Sequence, residues 1–130
     1  PKTQSAVPAD APVILECEHL NSWQVKDVSF KLKKGEILGF SGLMGAGRTE
    51  TMETVFGART ADSGKVFIKG QEVHFKSPLD AIAAGLGMVT EDRKETGLVL
   101  PMDVTENTTI TGMISSDRKG KMLGSIKNQL

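Results

Sequence analysis

The eight residues Gly42-Leu43-Met44-Gly45-Ala46-Gly47-Arg48-Thr49 constrain this chain more than anything else in it. They fit G-x-x-x-x-G-K-[ST] with one change, arginine where lysine is usual. Glycines let successive backbone N–H groups turn inward around a phosphate with no Cβ in the way. A helix that opens at the end of such a loop aims its unpaired N–H groups at the same anion. A cation at Arg48 neutralises the terminal phosphates, and the Thr49 hydroxyl suits Mg²⁺. The flanks agree: Glu36 to Phe40 is a short apolar run that predicts a strand buried on both faces. Arg48 to Phe56 predicts a helix, with Met52, Val55 and Phe56 on one face and Gly57 as its stop. The competing reading is a glycine-rich strand-to-helix turn that packs closely and binds nothing.

The rest of the chain supplies the setting. Pro1 to Pro12 holds three prolines and no apolar period, and reads as a flexible linker or tail. Order is expected from residue 13 onward. Val13 to Leu20 predicts a strand, Asn21-Ser22 a turn, and Val25 to Leu32 a half-buried strand ending at Lys33-Lys34-Gly35. Val66-Phe67-Ile68 and Val73-His74-Phe75 flank Gly70 as a hairpin. Ser77-Pro78 opens a helix whose buried stripe is Leu79, Ile82, Ala83 and Leu86, and Leu86 to Val89 reads as a second parallel strand. Asp103 and Glu106 stand at capping-box spacing, so a helix starts near Val104. The segment beyond Ser115, with Lys127 in it, is basic and polar and takes no assignment.

Composition removes several function classes. Sixteen Lys and Arg balance sixteen Asp and Glu, against a dedicated nucleic-acid binder, which needs cationic excess. No apolar run approaches the length of a bilayer span. One cysteine, Cys17, permits no internal disulfide, which points to a reducing compartment. His19 and His74 read as ordinary surface or satisfied histidines.

Val25 to Phe30, Lys34 to Gly39 and the loop together resemble the opening of an ATP-binding cassette domain. The longer string Gly42 to Glu50, with Thr90-Glu91-Asp92-Arg93-Lys94 and Gly97 to Leu100, is similar to the second cassette of bacterial importers for ribose and related simple sugars. The resemblance covers roughly residues 13 to 113. It implies an α/β fold of the P-loop NTPase type, with an antiparallel strand layer beside a partial parallel sheet and flanking helices. It implies ATP and Mg²⁺ as ligands. Gly42, Leu43, Met44, Gly45, Ala46, Gly47, Arg48, Thr49 and Glu50 would line the phosphates, and Trp23 would stack on adenine. Thr49 and Glu91 would stand at the metal, Glu91 where the family carries glutamine. No general base for water is evident. The implied partners are a second cassette in the same polypeptide and transmembrane permease subunits. Sugar would contact those other subunits, and the protein would sit peripherally on the cytoplasmic face of the bacterial inner membrane. The family's signature loop, second acidic motif and switch histidine are missing from residues 13 to 130, so the chain resembles the N-terminal part of a longer cassette protein.

Overall fold

The computed structural model describes residues 7–117, and side-chain positions up to Gly112 apart from Thr111. Expectations for residues 1–6 and for the basic segment 118–130 lie outside that range. The chain divides into two units, Pro1–Leu86 and Gly87–Leu130.

The first unit is built on one antiparallel sheet of order β2-β1-β3-β4, with β1 at Val13–Ser22, β2 at Val25–Lys33, β3 at Ser63–Ile68 and β4 at Gln71–Val73. The predicted turn at Asn21-Ser22 belongs instead to the end of β1, and Trp23-Gln24 makes the turn to β2, with Ser22 paired to Val25. Strict alternation would put Cys17 and Leu20 on opposite faces. Both are 1% exposed, because the register with β2 shifts between them. The shift places His19 and Asp27 at φ +50°, and the Asn21 side chain holds the bulge by donating to His19 O (2.7 Å) and accepting from Asp27 N–H (2.9 Å). On the other side Gly64, at φ +101°, lies so close that a Cβ there would meet Leu20 Cα at 2.6 Å. Only glycine fits against that bulge.

The β3–β4 hairpin turns at Lys69 and Gly70, both at positive φ, as a type I′ turn requires. Helix α1 (Arg48–Val55) docks on β1 through Val55, which joins Cys17 and Leu20 in the core; Leu15, Val28, Phe30, Ala61, Val66 and Leu86 pack around them. Its buried threonines are satisfied: Thr51 Oγ1 donates to Gly47 O (2.6 Å) and Thr54 Oγ1 to Glu50 O (2.6 Å), while Thr54 Oγ1 also meets Ser22 Oγ at 3.1 Å. Gly57 follows α1 at φ +74°, the left-handed stop the sequence predicts. Residues 7–12 form no strand, and are tied back by Lys33 Nζ to Ala9 O (2.7 Å) and Lys34 N–H to Pro12 O (2.9 Å).

Three further expectations are corrected. Glu36 to Phe40 is not a strand, and Ile37 is 98% exposed. Leu86 to Val89 is not a strand either. A parallel strand exists only by pairing with a neighbour that a long crossover must deliver, and neither run finds one among the described residues. Helix α2 (Pro78–Ala83) forms on the predicted Ser77-Pro78 start, but its fully buried residue is Ala81, whereas Leu79 and Ala83 are exposed. The helix is six residues long, too short for a full stripe.

In the second unit, Arg93–Gly97 forms a π-helical turn capped by Asp92, whose carboxylate accepts from Lys94 N–H (2.8 Å) and Glu95 N–H (3.0 Å). Helix α3 (Val104–Asp117) starts on the expected capping box: Glu106 N–H donates to Asp103 Oδ1 (2.8 Å) and Asp103 N–H to Glu106 Oε2 (2.9 Å). Asn107 further pins the preceding loop, accepting from Val99 N–H (2.8 Å) and donating to Val99 O (3.1 Å). Among the described residues no helix is long and apolar enough to cross a membrane.

Candidate nucleotide site

The glycine segment forms a loop that runs directly into α1. Gly45 and Gly47 sit at φ +81° and +80°, conformations that a side chain would strain. Ala46 N–H donates to Leu43 O (3.0 Å) and closes a tight turn within the loop. The two ends lie side by side: a Cβ on Gly42 would meet Ala46 Cβ at 2.9 Å and Arg48 Cδ at 3.8 Å. Gly47 is buried, and a Cβ on it would strike Gln24 O at 2.8 Å. The end of the loop is therefore pressed against the β1–β2 turn.

Gly47 is the N-cap of α1 and offers no side-chain acceptor. The ladder of α1 begins with Thr51 N–H donating to Gly47 O (2.9 Å), so its first-turn N–H groups fall outside that ladder. The contrast with α3 is chemical, since α3 fills its own N-terminus with carboxylates. Arg48 is exposed, while Thr49 and Glu50 are half-buried at the helix start. Leu43 and Met44 form the exposed crest of the loop. The structure has a loop at Gly42 to Gly47 and a helix from Arg48, where the sequence predicts them. The missing piece is the strand in front of it.

Beside the loop lies a surface cavity of about 230 Å³ lined by Ser22, Trp23, Gln24, Glu50, Arg59 and Thr60. Trp23 is 74% exposed at the β1–β2 turn, outside the core, and is one of the residues lining the cavity. Sequence reasoning named Trp23 and Glu50 but missed Gln24, Arg59 and Thr60. Gln24 was signalled only by its place next to Trp23, and nothing in the local sequence marks Arg59. Its Nε pairs with the Glu53 carboxylate. That hydrogen bond and charge, with a smaller contribution from Glu50, raise the Arg59 pKa further above its ordinary value.

Glu91 is exposed in the second unit, one residue before the Asp92 cap, whereas Thr49 belongs to the first. Among the described residues no group of three His, Cys, Asp or Glu side chains could hold a metal ion. His19 is a satisfied surface residue, its Nδ1 2.6 Å from Asp27 Oδ1. Cys17 is buried, and desolvation pushes its thiol up to about 12, so it is inert as a nucleophile.

Comparison with known proteins adds the family. The profile of the ABC transporter family matches residues 25–129. The chain is 52% identical over 99 residues to the ribose import ATP-binding protein RbsA of Streptococcus agalactiae serotype III, covering 76% of this chain and 20% of that protein. It is 46% identical over 104 residues to the galactose/methyl galactoside import ATP-binding protein MglA of Clostridium tetani, covering 78% of this chain and 21% of that protein. RbsA of Halalkalibacterium halodurans is 42% identical over 127 residues, 91% of this chain and 26% of that protein. The chain thus spans about a fifth to a quarter of the length of these relatives. No solved structure matches it. With a family profile over four-fifths of its length and a glycine loop opening a helix where that profile applies, the chain belongs to the ABC transporter family.

Proposed function

We propose that this chain is the nucleotide-binding part of the ATP-binding subunit of a bacterial sugar importer, serving ribose, galactose or a related monosaccharide. The observation that carries the reading is the loop itself: left-handed Gly45 and Gly47 lead into an uncapped helix, within a chain whose relatives are named as ribose and galactose import ATP-binding proteins. The fit to a triphosphate rests on Gly47, whose missing Cβ is what lets the loop close against Gln24 O. Gly42 to Gly47 would supply backbone donors, Arg48 the cation, and Thr49 a hydroxyl for Mg²⁺. Mg²⁺, when bound, would neutralise charge on the β and γ phosphates. Trp23 would stack on the base.

Arg48 brings a wide guanidinium where a compact ammonium is usual. It can still make charge-assisted bonds to phosphate, so the site binds nucleotide but aligns the γ-phosphate poorly for attack. Hydrolysis in the intact transporter would then fall mainly to another site, in a second cassette of the same polypeptide, with permease subunits carrying the sugar. The subunit would act peripherally at the cytoplasmic face of the inner membrane. A chain of residues 1–130 alone should release no phosphate from ATP above a Gly47→Val control, since it offers no group to polarise water. The transport claim is tested by deleting the gene and following labelled ribose and galactose. Loss of uptake of one of them is expected, and undiminished uptake of both would overturn the sugar-importer reading.

A further inference from the structure

The cavity beside the phosphate loop holds a residue whose chemistry the phosphates do not explain. Glu50 follows Thr49 in the first turn of α1 and also lines the cavity with Trp23. A carboxylate placed next to a triphosphate repels it, so a role for Glu50 must come from another part of the ligand. At about 230 Å³ the cavity is below the usual range for a whole drug-sized ligand, and suits one ring system with part of a sugar. The cavity and the loop are neighbours, because the Trp23-Gln24 turn approaches Gly47 through Gln24 O. Glu50 therefore belongs both to the first turn behind the loop and to the wall of the Trp23 cavity, and in a nucleotide the ribose is what joins the phosphates to the base.

An ionised carboxylate is acceptor-only, and the vicinal hydroxyls of a ribose are donors. Acidic side chains read ribose hydroxyls in the same way at dinucleotide sites. The backbone of Glu50 is fixed in the helix. Its backbone carbonyl accepts from Thr54 Oγ1 (2.6 Å) inside the α1 ladder. Arg59, also on the cavity wall, is held by Glu53 one turn along the same helix.

We infer that Glu50 is a specificity-determining residue that accepts hydrogen bonds from the ribose hydroxyls, so that the site selects ribonucleotides over 2′-deoxynucleotides. This rests on the nucleotide-site reading above and deepens it. A substitution at Glu50 also removes charge repulsion, but that change acts equally on ATP and 2′-deoxyATP and cancels in their ratio.

The test is a titration of the protein with ATP, 2′-deoxyATP and inorganic tripolyphosphate at fixed Mg²⁺ and salt, read by the fluorescence quench that Trp23→Phe abolishes and by calorimetry. ATP should bind about tenfold tighter than 2′-deoxyATP, the scale of one hydrogen bond to a charged group. Glu50→Ala should bring that ratio within about twofold of unity, and Glu50→Gln, which keeps a neutral acceptor, should leave an intermediate ratio. Equal affinity of the wild-type protein for the two nucleotides overturns the role of Glu50 while leaving the phosphate site standing. A ratio that survives Glu50→Ala does the same. Failure of ATP and tripolyphosphate alike to bind overturns the nucleotide site and this inference together.

Discussion

Two apolar stretches of the first unit behave in opposite ways. Along β1 and β2, Cys17, Leu20 and Val25 are each 1% exposed. Between Ile37 and Met44, three residues of similar hydrophobicity, Ile37, Leu43 and Met44, are 98%, 87% and 98% exposed. The difference lies in who supplies the partner. β1 pairs antiparallel with β2 across a two-residue turn and, on its other edge, with β3, which returns beside it after α1, so both edges of β1 are closed. A central parallel strand at Glu36 to Phe40 would need neighbours brought in by crossovers, and no described segment provides them. Hydrophobicity states that a residue is suited to burial. Topology decides whether anything arrives to bury it.

Predictions that break or sharpen this contrast concern the chain of residues 1–130. The largest effect is expected at Leu20, where Leu20→Ala should cost about 3 kcal/mol in urea denaturation by leaving a cavity between β1 and α1. Ile37→Ala should change stability by less than about 0.5 kcal/mol, because nothing covers Ile37. Equal costs would show that Glu36 to Phe40 is packed after all. Next is Gly64. An alanine there meets Leu20 Cα at 2.6 Å at a positive φ, and Gly64→Ala should cost about 2–3 kcal/mol from strain and overpacking. Gly70→Ala, with open space around it, should cost about 1 kcal/mol by the left-handed penalty alone.

A smaller effect is expected at the loop. Arg48→Lys should tighten ATP binding about fivefold, on the scale of one improved contact of ~1 kcal/mol. Unchanged or weaker binding would mean that the loop is shaped around arginine.

The smallest effect is electrostatic. The Asp27 hydrogen bond, and then its charge, raise the His19 pKa above its ordinary value. A raised folded-state value means that the pair stabilises the fold fully below the unfolded pKa of about 6.5. That contribution is lost as pH rises through the higher folded-state value. Both side chains are largely exposed, so the change is slight and screened by salt. The melting temperature should fall slightly across that window, and Asp27→Asn should flatten the dependence.

What the sequence made legible was local. The hairpin at Lys69-Gly70, the Ser77-Pro78 helix start, the Asp103–Glu106 capping box and the Gly42 to Thr49 loop each depend on a few adjacent residues whose chemistry is written in order. The bulge at His19 was not legible, since it is set by Gly64 and Asn21 acting across strands. Nor was the Arg59 wall of the cavity, which depends on how the chain returns after α1. Trp23 was placed in the site by resemblance, and its exposed position beside Glu50 is a product of the β1–β2 turn.

The central claim is that the loop from Gly42 to Thr49 holds the phosphates of a nucleotide. Calorimetric titration of the protein with Mg²⁺-ATP, wild type against Arg48→Ala, tests it most directly, because Arg48 is exposed and its truncation leaves the core untouched. Saturable binding that tripolyphosphate competes away and that Arg48→Ala weakens about tenfold, the scale of a lost charge-assisted contact, is the predicted result. Binding undiminished in Arg48→Ala, or no binding by the wild-type protein, would contradict it.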